Sequence, residues 1–451
     1  MELFKLNKIY FLGIGGIGMS ALARYFNAKG VKVSGYDKTS TFLTQELEKE
    51  GIDIHYFDNP DFIDNSIELI IYTPAIPKDL KEWGFALQMD CPLMKRSEIL
   101  GLLTKDYFTI AVAGTHGKTS ITSMIAHVLH YAGIDIIAFI GGVSKNYNSN
   151  LLLNQNSKVI VVEADEFDRS FLNLNPDVVV VSSIDSDHLD IYKTRDNLIN
   201  TYYQFIENVK IGGKIFAKKF AFPKEPHGKE FQTYSIGEIS DTIARNIKVE
   251  NGDFIFDFKK ADIEIKNLIL CVPGRYNVEN ALAAIIVALS LNLDPNVIRE
   301  ALKVYTGVKR RFEYQIKRPD FVYIDDYAHH PEEIKALITA VKELYPRKKI
   351  TGIFQPHLFT RTRDCMEGFA ESLAMLDCLI LLEIYPAREV PINGVNSDIL
   401  LDMVKSNSKI LVTKERALEI IKEEKPEVLL TIGAGDIDQL IMPILNYFNF
   451  L

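Results

Sequence analysis

Short apolar runs alternate with longer amphipathic stretches along this chain, and the runs repeatedly end in glycine, an acid or histidine. Lys8–Leu12 reads as a strand, Gly13–Gly18 as a turn, and the following residues to Ala28 as a helix. Val31–Gly35 is a second strand leading to Asp37, and Leu69–Tyr72 a further one ending in Thr73-Pro74. The pattern restarts near Lys105. Phe108–Ala113 is a strand, Gly114–Ser120 a glycine-containing loop, and the next residues a helix to about Tyr131, stopped by Gly133. Val159–Val162 and Val178–Val181 are fully apolar, as strands buried on both faces are. Between 213 and 272, Phe254, Phe256 and Phe258 alternate with polar residues, which predicts a short antiparallel section. Asn277–Leu291 is helical. A third series follows: strand Tyr323–Asp325, helix Pro331–Leu344, and strands Lys349–Phe354, Cys378–Glu383, Lys409–Val412 and Val428–Ile432.

Strands alternating with helices imply parallel sheets. The fold class is therefore α/β in three domains: a Rossmann-like domain over 1–104, a P-loop ATPase-like domain over 105–307 with a small antiparallel β section, and a second Rossmann-like domain over 308–451. The length of 451 residues fits about three domains of roughly 150 residues each. A net charge of −9 argues against a nucleic-acid partner held by phosphate neutralisation. The longest apolar run, Ala281–Leu289, falls well short of the ~20 residues that span a bilayer, so no membrane partner is expected. The start of the chain does not read as a signal peptide. Four scattered cysteines without a CxxC pair fit a reducing cytosol, and a cytoplasmic location is expected. The choice between monomer and homodimer stays open.

The richest string is Gly114-Thr115-His116-Gly117-Lys118-Thr119-Ser120. A strand, a small-residue turn and Gly-Lys-Thr opening a helix form a phosphate cradle, because backbone N–H groups and the helix N-terminus attract anions. Lys118 adds positive charge near the terminal phosphates, and the Thr119 hydroxyl can ligate Mg²⁺. Glu163 and His188 end two apolar strands on the expected sheet edge with this loop, and with Thr119 complete a candidate metal set. A lone His188 would read as a structural histidine; its company with Lys118 and Glu163 reverses that. Gly13–Gly18 matches GxGxxG, with Asp37 at a suitable distance. Such a loop binds any diphosphate, that of UDP as readily as that of NAD. Asp325-Asp326-Tyr327-Ala328-His329-His330-Pro331, and Gln355-Pro356-His357 with Thr360-Arg361-Thr362-Arg363, form a polar cluster behind two strands.

Together with Glu163-Ala164-Asp165-Glu166, Asp187-His188 and Pro273-Gly274-Arg275-Tyr276-Asn277, these strings resemble the Mur ligases, in order and over nearly the whole chain. Gly13–Met19 and Gln355-Pro356-His357 with Arg361-Thr362-Arg363 resemble the branch of that family that adds L-alanine to UDP-N-acetylmuramate at the expense of ATP. The resemblance implies a UDP-sugar site in the first domain, with Gly15, Gly16, Ile17, Gly18, Asp37 and Thr73. It implies an ATP site made of Gly114–Ser120, Asn277, Asn280 and Arg310, and Mg²⁺ at Thr119, Glu163 and His188. Tyr327, His329 and Arg361 fall where the family meets the muramoyl group. Lys118, His188, His329 and Arg361 are the expected catalytic residues, His329 as a base or a substrate contact. Tyr276 stands where the family usually has histidine, Ser183 where asparagine is common, and Leu358 where arginine is frequent. Tyr203 takes the place at which some members carry a modified lysine. Three rivals remain: a recycling ligase that attaches a tripeptide to the same sugar, an NAD-dependent oxidoreductase resting on Gly13–Gly18 and Asp37, and a P-loop ATPase serving as a binding or motor module.

Overall fold

A computed structural model describes residues 3–185, 189–226, 228–237, 239–387, 389–406 and 408–449. The chain divides into two compact units. The first comprises Met1–Arg245, Phe258–Lys266 and Glu279–Tyr305; the second comprises Asn246–Asp257, Asn267–Val278 and Thr306–Leu451.

The first unit opens with a five-stranded sheet of β1 (Lys8–Leu12), β2 (Lys32–Tyr36), β3 (Asp53–His55), β4 (Leu69–Tyr72) and β5 (Leu93–Lys95), in the order β3-β2-β1-β4-β5. Every pairing is parallel. The central β1 is buried on both faces, so its run Ile9–Leu12 needs no polar alternation. Ile9 and Phe11 face a core that continues into the next sheet, while Tyr10 and Leu12 join Ile70 and Trp83 on the opposite face.

The second sheet contains β6 (Phe108–Ala113), β7 (Ile136–Ser144), β8 (Ser149–Leu153), β9 (Val159–Glu163), β10 (Val178–Val181), β11 (Lys214–Lys218), β12 (Glu230–Ile236), β13 (Thr242–Glu250), β14 (Asp253–Lys260) and β15 (Ile263–Leu270). Its order is β15-β14-β13-β12-β11-β10-β6-β9-β7-β8. The pairs from β13 to β7 are parallel, and β8 closes the edge antiparallel to β7. A short antiparallel section is expected somewhere within 213–272. The structure narrows it: β11 and β12 extend the parallel sheet, and only β13, β14 and β15 run as tight hairpins. Asn251 (φ +54) and Gly252 (φ +87) make the first of those turns, where both central residues need positive φ. Phe254, Phe256 and Phe258, alternating along β14, are completely buried.

The second unit is built on β16 (Glu313–Lys317), β17 (Val322–Asp326), β18 (Ile350–Phe354), β19 (Cys378–Leu381), β20 (Lys409–Leu411) and β21 (Val428–Ile432), in the order β16-β17-β21-β18-β19-β20. Only β16 is antiparallel. Asp326 and Phe354 both pair with Ile432, so the turns after β17, β18 and β21 leave the sheet side by side. Apolar clusters cover both faces. Among the described residues, no helix is long and apolar enough to cross a membrane.

Candidate active site

The loop after β6 is shaped by two glycines that no other residue could replace cheaply. Gly114 sits at φ +133, where an added Cβ would lie 2.1 Å from the Ser182 hydroxyl. Gly117 (φ +81) is the N-cap of the helix Lys118–Tyr131, and a Cβ there would stand 2.9 Å from Oδ1 of the buried Asn280. The Thr115 amide donates to the Ser183 carbonyl (3.0 Å), and the His116 amide to the Ser183 hydroxyl (3.2 Å). The serine that departs from the family's asparagine therefore holds the loop. Ser182 donates to the His116 carbonyl, and the His116 ring lies 3.7 Å from Asp185. The Ser120 carbonyl accepts from Tyr305.

Lys118 is partly buried, and its Nζ donates to the Gly114 carbonyl (2.8 Å) and to both Glu166 carboxylate oxygens (2.9 and 2.7 Å). Burial alone would lower its pKa, but the charges of Glu166, Asp165 and Glu163 outweigh it and the ammonium is held above its ordinary value. Glu163 accepts from the Gly141 amide (2.5 Å) and the Thr119 hydroxyl (3.2 Å). Burial pushes its carboxyl up, against the pull of the Gly141 amide and Lys118. Thr119 and Glu163 thus set two oxygen donors side by side, the hard ligands that Mg²⁺ takes along with phosphate oxygens and water. Among the described residues, no three His, Cys, Asp or Glu side chains converge as a metal cage. His188 lies outside the described residues.

The loop after β1 repeats the strand–glycine–helix plan. Gly13 (φ +84) packs against Thr73, whose methyl would be 2.7 Å from an added Cβ. Gly16 is the N-cap of the helix Ile17–Ala28, and the Ile17 carbonyl accepts from Asn150 (2.7 Å). Asp37 turns inward on the loop itself: Oδ2 accepts the Gly15 amide (2.8 Å) and Oδ1 the Thr39 amide (3.2 Å). Arg96 supplies the nearby cation, its Nη1 lying 3.0 Å from where a Gly18 Cβ would be. Neither Arg96 nor Glu166 stood out in the sequence. Glu166 was one acid among three in its string, and Arg96 is 78 residues from the glycine it faces.

In the second unit the turns after β17 and β18 bring Tyr327, His329, His357 and Arg361 together. The ring centroids of Tyr327 and His329 are 5.4 Å apart, and those of His329 and His357 are 6.4 Å apart. Arg361 approaches His357 to 3.4 Å. The partly buried His329 ring donates from Nδ1 to the Tyr327 carbonyl (2.9 Å), which leaves the Nε2 lone pair available, and desolvation pulls its pKa down to about 4. Burial pushes Asp326 up to about 6, and its oxygens accept the Phe312 and Ala328 amides (2.6 and 2.8 Å). Arg310 is drawn into the fold: it donates to Asp325 (3.0 Å) and the Gly433 carbonyl (2.8 Å), and its guanidinium lies 5.3 Å from the Tyr327 ring centroid. Asn277 donates to the Pro273 carbonyl (2.6 Å).

Three family models cover the chain in succession: the Mur ligase family catalytic domain over 8–108, the Mur ligase middle domain over 112–288, and the Mur ligase glutamate ligase domain over 310–435. A UDP-N-acetylmuramate–L-alanine ligase of Flavobacterium psychrophilum is 47% identical, with 98% of each chain aligned. The chain belongs to the Mur ligase family. Among solved structures, this Mur ligase resembles the UDP-N-acetylmuramate–alanine ligase of Thermotoga maritima with a TM-score of 0.85 and 29% identity, covering 98% of this chain and 99% of that one. A murein peptide ligase of Psychrobacter arcticus shares the fold with a TM-score of 0.71 at 22% identity, covering 97% of this chain and 98% of that one. Membership in the family sets aside the oxidoreductase reading of the first glycine loop.

Proposed function

We propose that this Mur ligase joins L-alanine to the lactyl carboxylate of UDP-N-acetylmuramate, converting ATP to ADP and phosphate, in the cytoplasm and at the start of peptidoglycan peptide synthesis. The observation that carries the reading is the Lys118 ammonium, fixed at the mouth of a glycine-shaped helix N-terminus beside the Thr119 hydroxyl and Glu163. The 47% identity to a relative of that name, against 22% to the murein peptide ligase, favours alanine over a tripeptide.

In this reading the domain over 1–104 holds the UDP-sugar at Gly15, Gly16, Ile17 and Gly18, beside Asp37 and Thr73. The domain over 105–307 holds ATP at Gly114–Ser120 and Asn280, with Asn277 at adenine. The domain over 308–451 offers Tyr327, His329 and Arg361 to the muramoyl group and the amino acid, and Arg310 orders the turns that carry them. The substrate carboxylate attacks the γ-phosphorus and ADP leaves, giving an acyl phosphate. The alanine amine then attacks the acyl carbon, and phosphate departs from the tetrahedral intermediate as the amine loses a proton. Two anions meet in the first step, so the Lys118 charge offsets their repulsion as the phosphoryl group passes between them. Mg²⁺, held by Thr119, Glu163 and His188, would neutralise phosphate oxygens when bound. His329, neutral near pH 7 with its Nε2 lone pair available, suits acceptance of a hydrogen bond from the incoming ammonium better than full proton removal.

The test is phosphate release with UDP-N-acetylmuramate and each amino acid in turn, and with the tripeptide in competition. Release that requires both the UDP-sugar and alanine supports the reading. Release with the tripeptide alone, or without any UDP-sugar, refutes it.

A further inference from the structure

Lys118 has three N–H donors, and all three are occupied from within the protein, one by the Gly114 carbonyl and two by Glu166. A phosphate oxygen can reach that ammonium only by displacing one of these partners, and Glu166 holds two of the three donors. The segment that carries Glu166 is itself held from the first domain. Lys95 donates to Asp168 (2.7 Å), and Arg96 lies 3.9 Å from Asp165. Asp168 (φ +52) and Arg169 (φ +55) are successive non-glycine residues in the left-handed region, a conformation that neighbouring contacts must enforce. The Glu166 carbonyl is anchored by the Tyr192 hydroxyl (2.5 Å) and the Arg169 amide (2.9 Å). On its other side Arg96 meets Gly18 in the first turn of the helix that follows the other glycine loop.

We infer that Asp165–Asp168 is a latch between the two nucleotide subsites: Lys95 and Arg96 hold it in the position that keeps Glu166 on Lys118, and a diphosphate at Gly15–Gly18 releases it by taking those cations for itself. The inference rests on the UDP-sugar and ATP sites proposed above. Ligand coupling is reciprocal, so ATP phosphates that displace Glu166 also free Lys95 and Arg96 for the UDP-sugar. Asp168 and Lys95 are positioning residues here, acting on Lys118 through Glu166.

The test is calorimetric titration of the full-length chain with the non-hydrolysable analogue AMP-PNP and Mg²⁺, with and without saturating UDP-N-acetylmuramate. The native chain should bind AMP-PNP about fivefold more tightly with the sugar present, at the lower end of usual couplings because the ion pair is partly exposed. Asp168→Asn keeps a residue that tolerates positive φ and removes only the charge. It and Lys95→Met should bind AMP-PNP about fivefold more tightly without the sugar and gain nothing further from it. Lys95→Arg should restore the native pattern. A merely structural bridge would leave the variants with unchanged or weaker nucleotide binding, and that result overturns the latch. UDP-N-acetylmuramate that binds without altering AMP-PNP affinity overturns the latch alone. Failure of the sugar to bind at all overturns both the latch and the proposed function.

Discussion

The two glycine loops of the first unit share a backbone plan and differ in the charges placed around it. Each follows a strand with neighbours on both sides, β1 or β6, and each begins with a positive-φ glycine packed against an adjoining segment, Thr73 for Gly13 and Ser182 for Gly114. Each opens a helix of at least twelve residues whose N-cap is a glycine with no side chain to cap the first amides. Around Gly15 the charged neighbour is the Asp37 carboxylate, spent on the loop's own amide, and the cation comes from Arg96 on another element. Around Gly117 a lysine is built into the helix start and ringed by Glu163 and Glu166. The backbone alone makes an anion cradle in both places. Only the second carries the charge needed where phosphoryl oxygens change partners, so the first suits holding and the second suits chemistry.

Removing that charge should break the comparison most sharply. Lys118→Ala should lower kcat for ATP-dependent ligation by about 10³-fold, as loss of a preorganised charge does, while UDP-sugar binding is not weakened. Phosphate-release kinetics and calorimetry measure the two separately, and equal loss of both would mean that the loops are not separate sites. The complementary change is Gly15→Ala. Its new Cβ would meet Asp37 Oδ2 at 2.8 Å and the Thr44 methyl at 2.7 Å, so the loop must shift. UDP-sugar affinity should fall about tenfold to a hundredfold, from roughly 1–3 kcal/mol of overpacking, with AMP-PNP affinity unchanged.

Much of this contrast was legible in the sequence because it is local. A strand, a glycine turn and a helix in succession announce themselves by spacing, and Phe108–Ala113, Val178–Val181, Pro331–Leu344 and Val428–Ile432 run over the same residues in the structure. What escaped was pairing between distant segments. The three-residue strands β3 and β5 are too short to show a period, and neither of the edge strands β8 and β16 is a continuous apolar run, each mixing polar and apolar residues. Glu166 on Lys118, Asp37 on Gly15 and Arg96 beside Gly18 are contacts across 48, 22 and 78 residues. A motif names the residue types at a site, but which acid meets which cation is decided by how strand ends line up across the sheets.

A subtler contrast concerns protons. Glu163→Gln should raise the Mg²⁺ concentration for half-maximal activity by about tenfold, the lower range for loss of a group serving a metal, and leave UDP binding without Mg²⁺ unaltered. Burial holds the Glu163 carboxyl above its ordinary range. On acidification it therefore protonates before an exposed glutamate would, and a protonated carboxyl does not ligate. The native Mg²⁺ requirement should climb as pH falls toward the carboxylate range, and the glutamine variant should lack that part of the climb. Parallel pH profiles for the two proteins would remove Glu163 from the metal's surroundings.

The smallest expected effect decides what Asp37 does. In a dinucleotide-binding loop an acid at this distance commonly accepts from a ribose hydroxyl, whereas here both of its oxygens are committed to the backbone, at Gly15 and Thr39. Asp37→Asn keeps one carbonyl acceptor and gives up the other, a loss of roughly 0.5–1.5 kcal/mol in a hydrogen bond. If the carboxylate serves the loop, UDP and UDP-N-acetylmuramate should both weaken by about threefold to tenfold, and a 2′-deoxyuridine diphosphate should weaken by the same factor, because the damage lies in the cradle. If the carboxylate leaves Gly15 to bind the ribose, the deoxy ligand should be weak for the native chain already and lose nothing more in the variant. Calorimetry with the three ligands separates the cases, and the second outcome would make the first loop a reader of the sugar as well as a holder of phosphate.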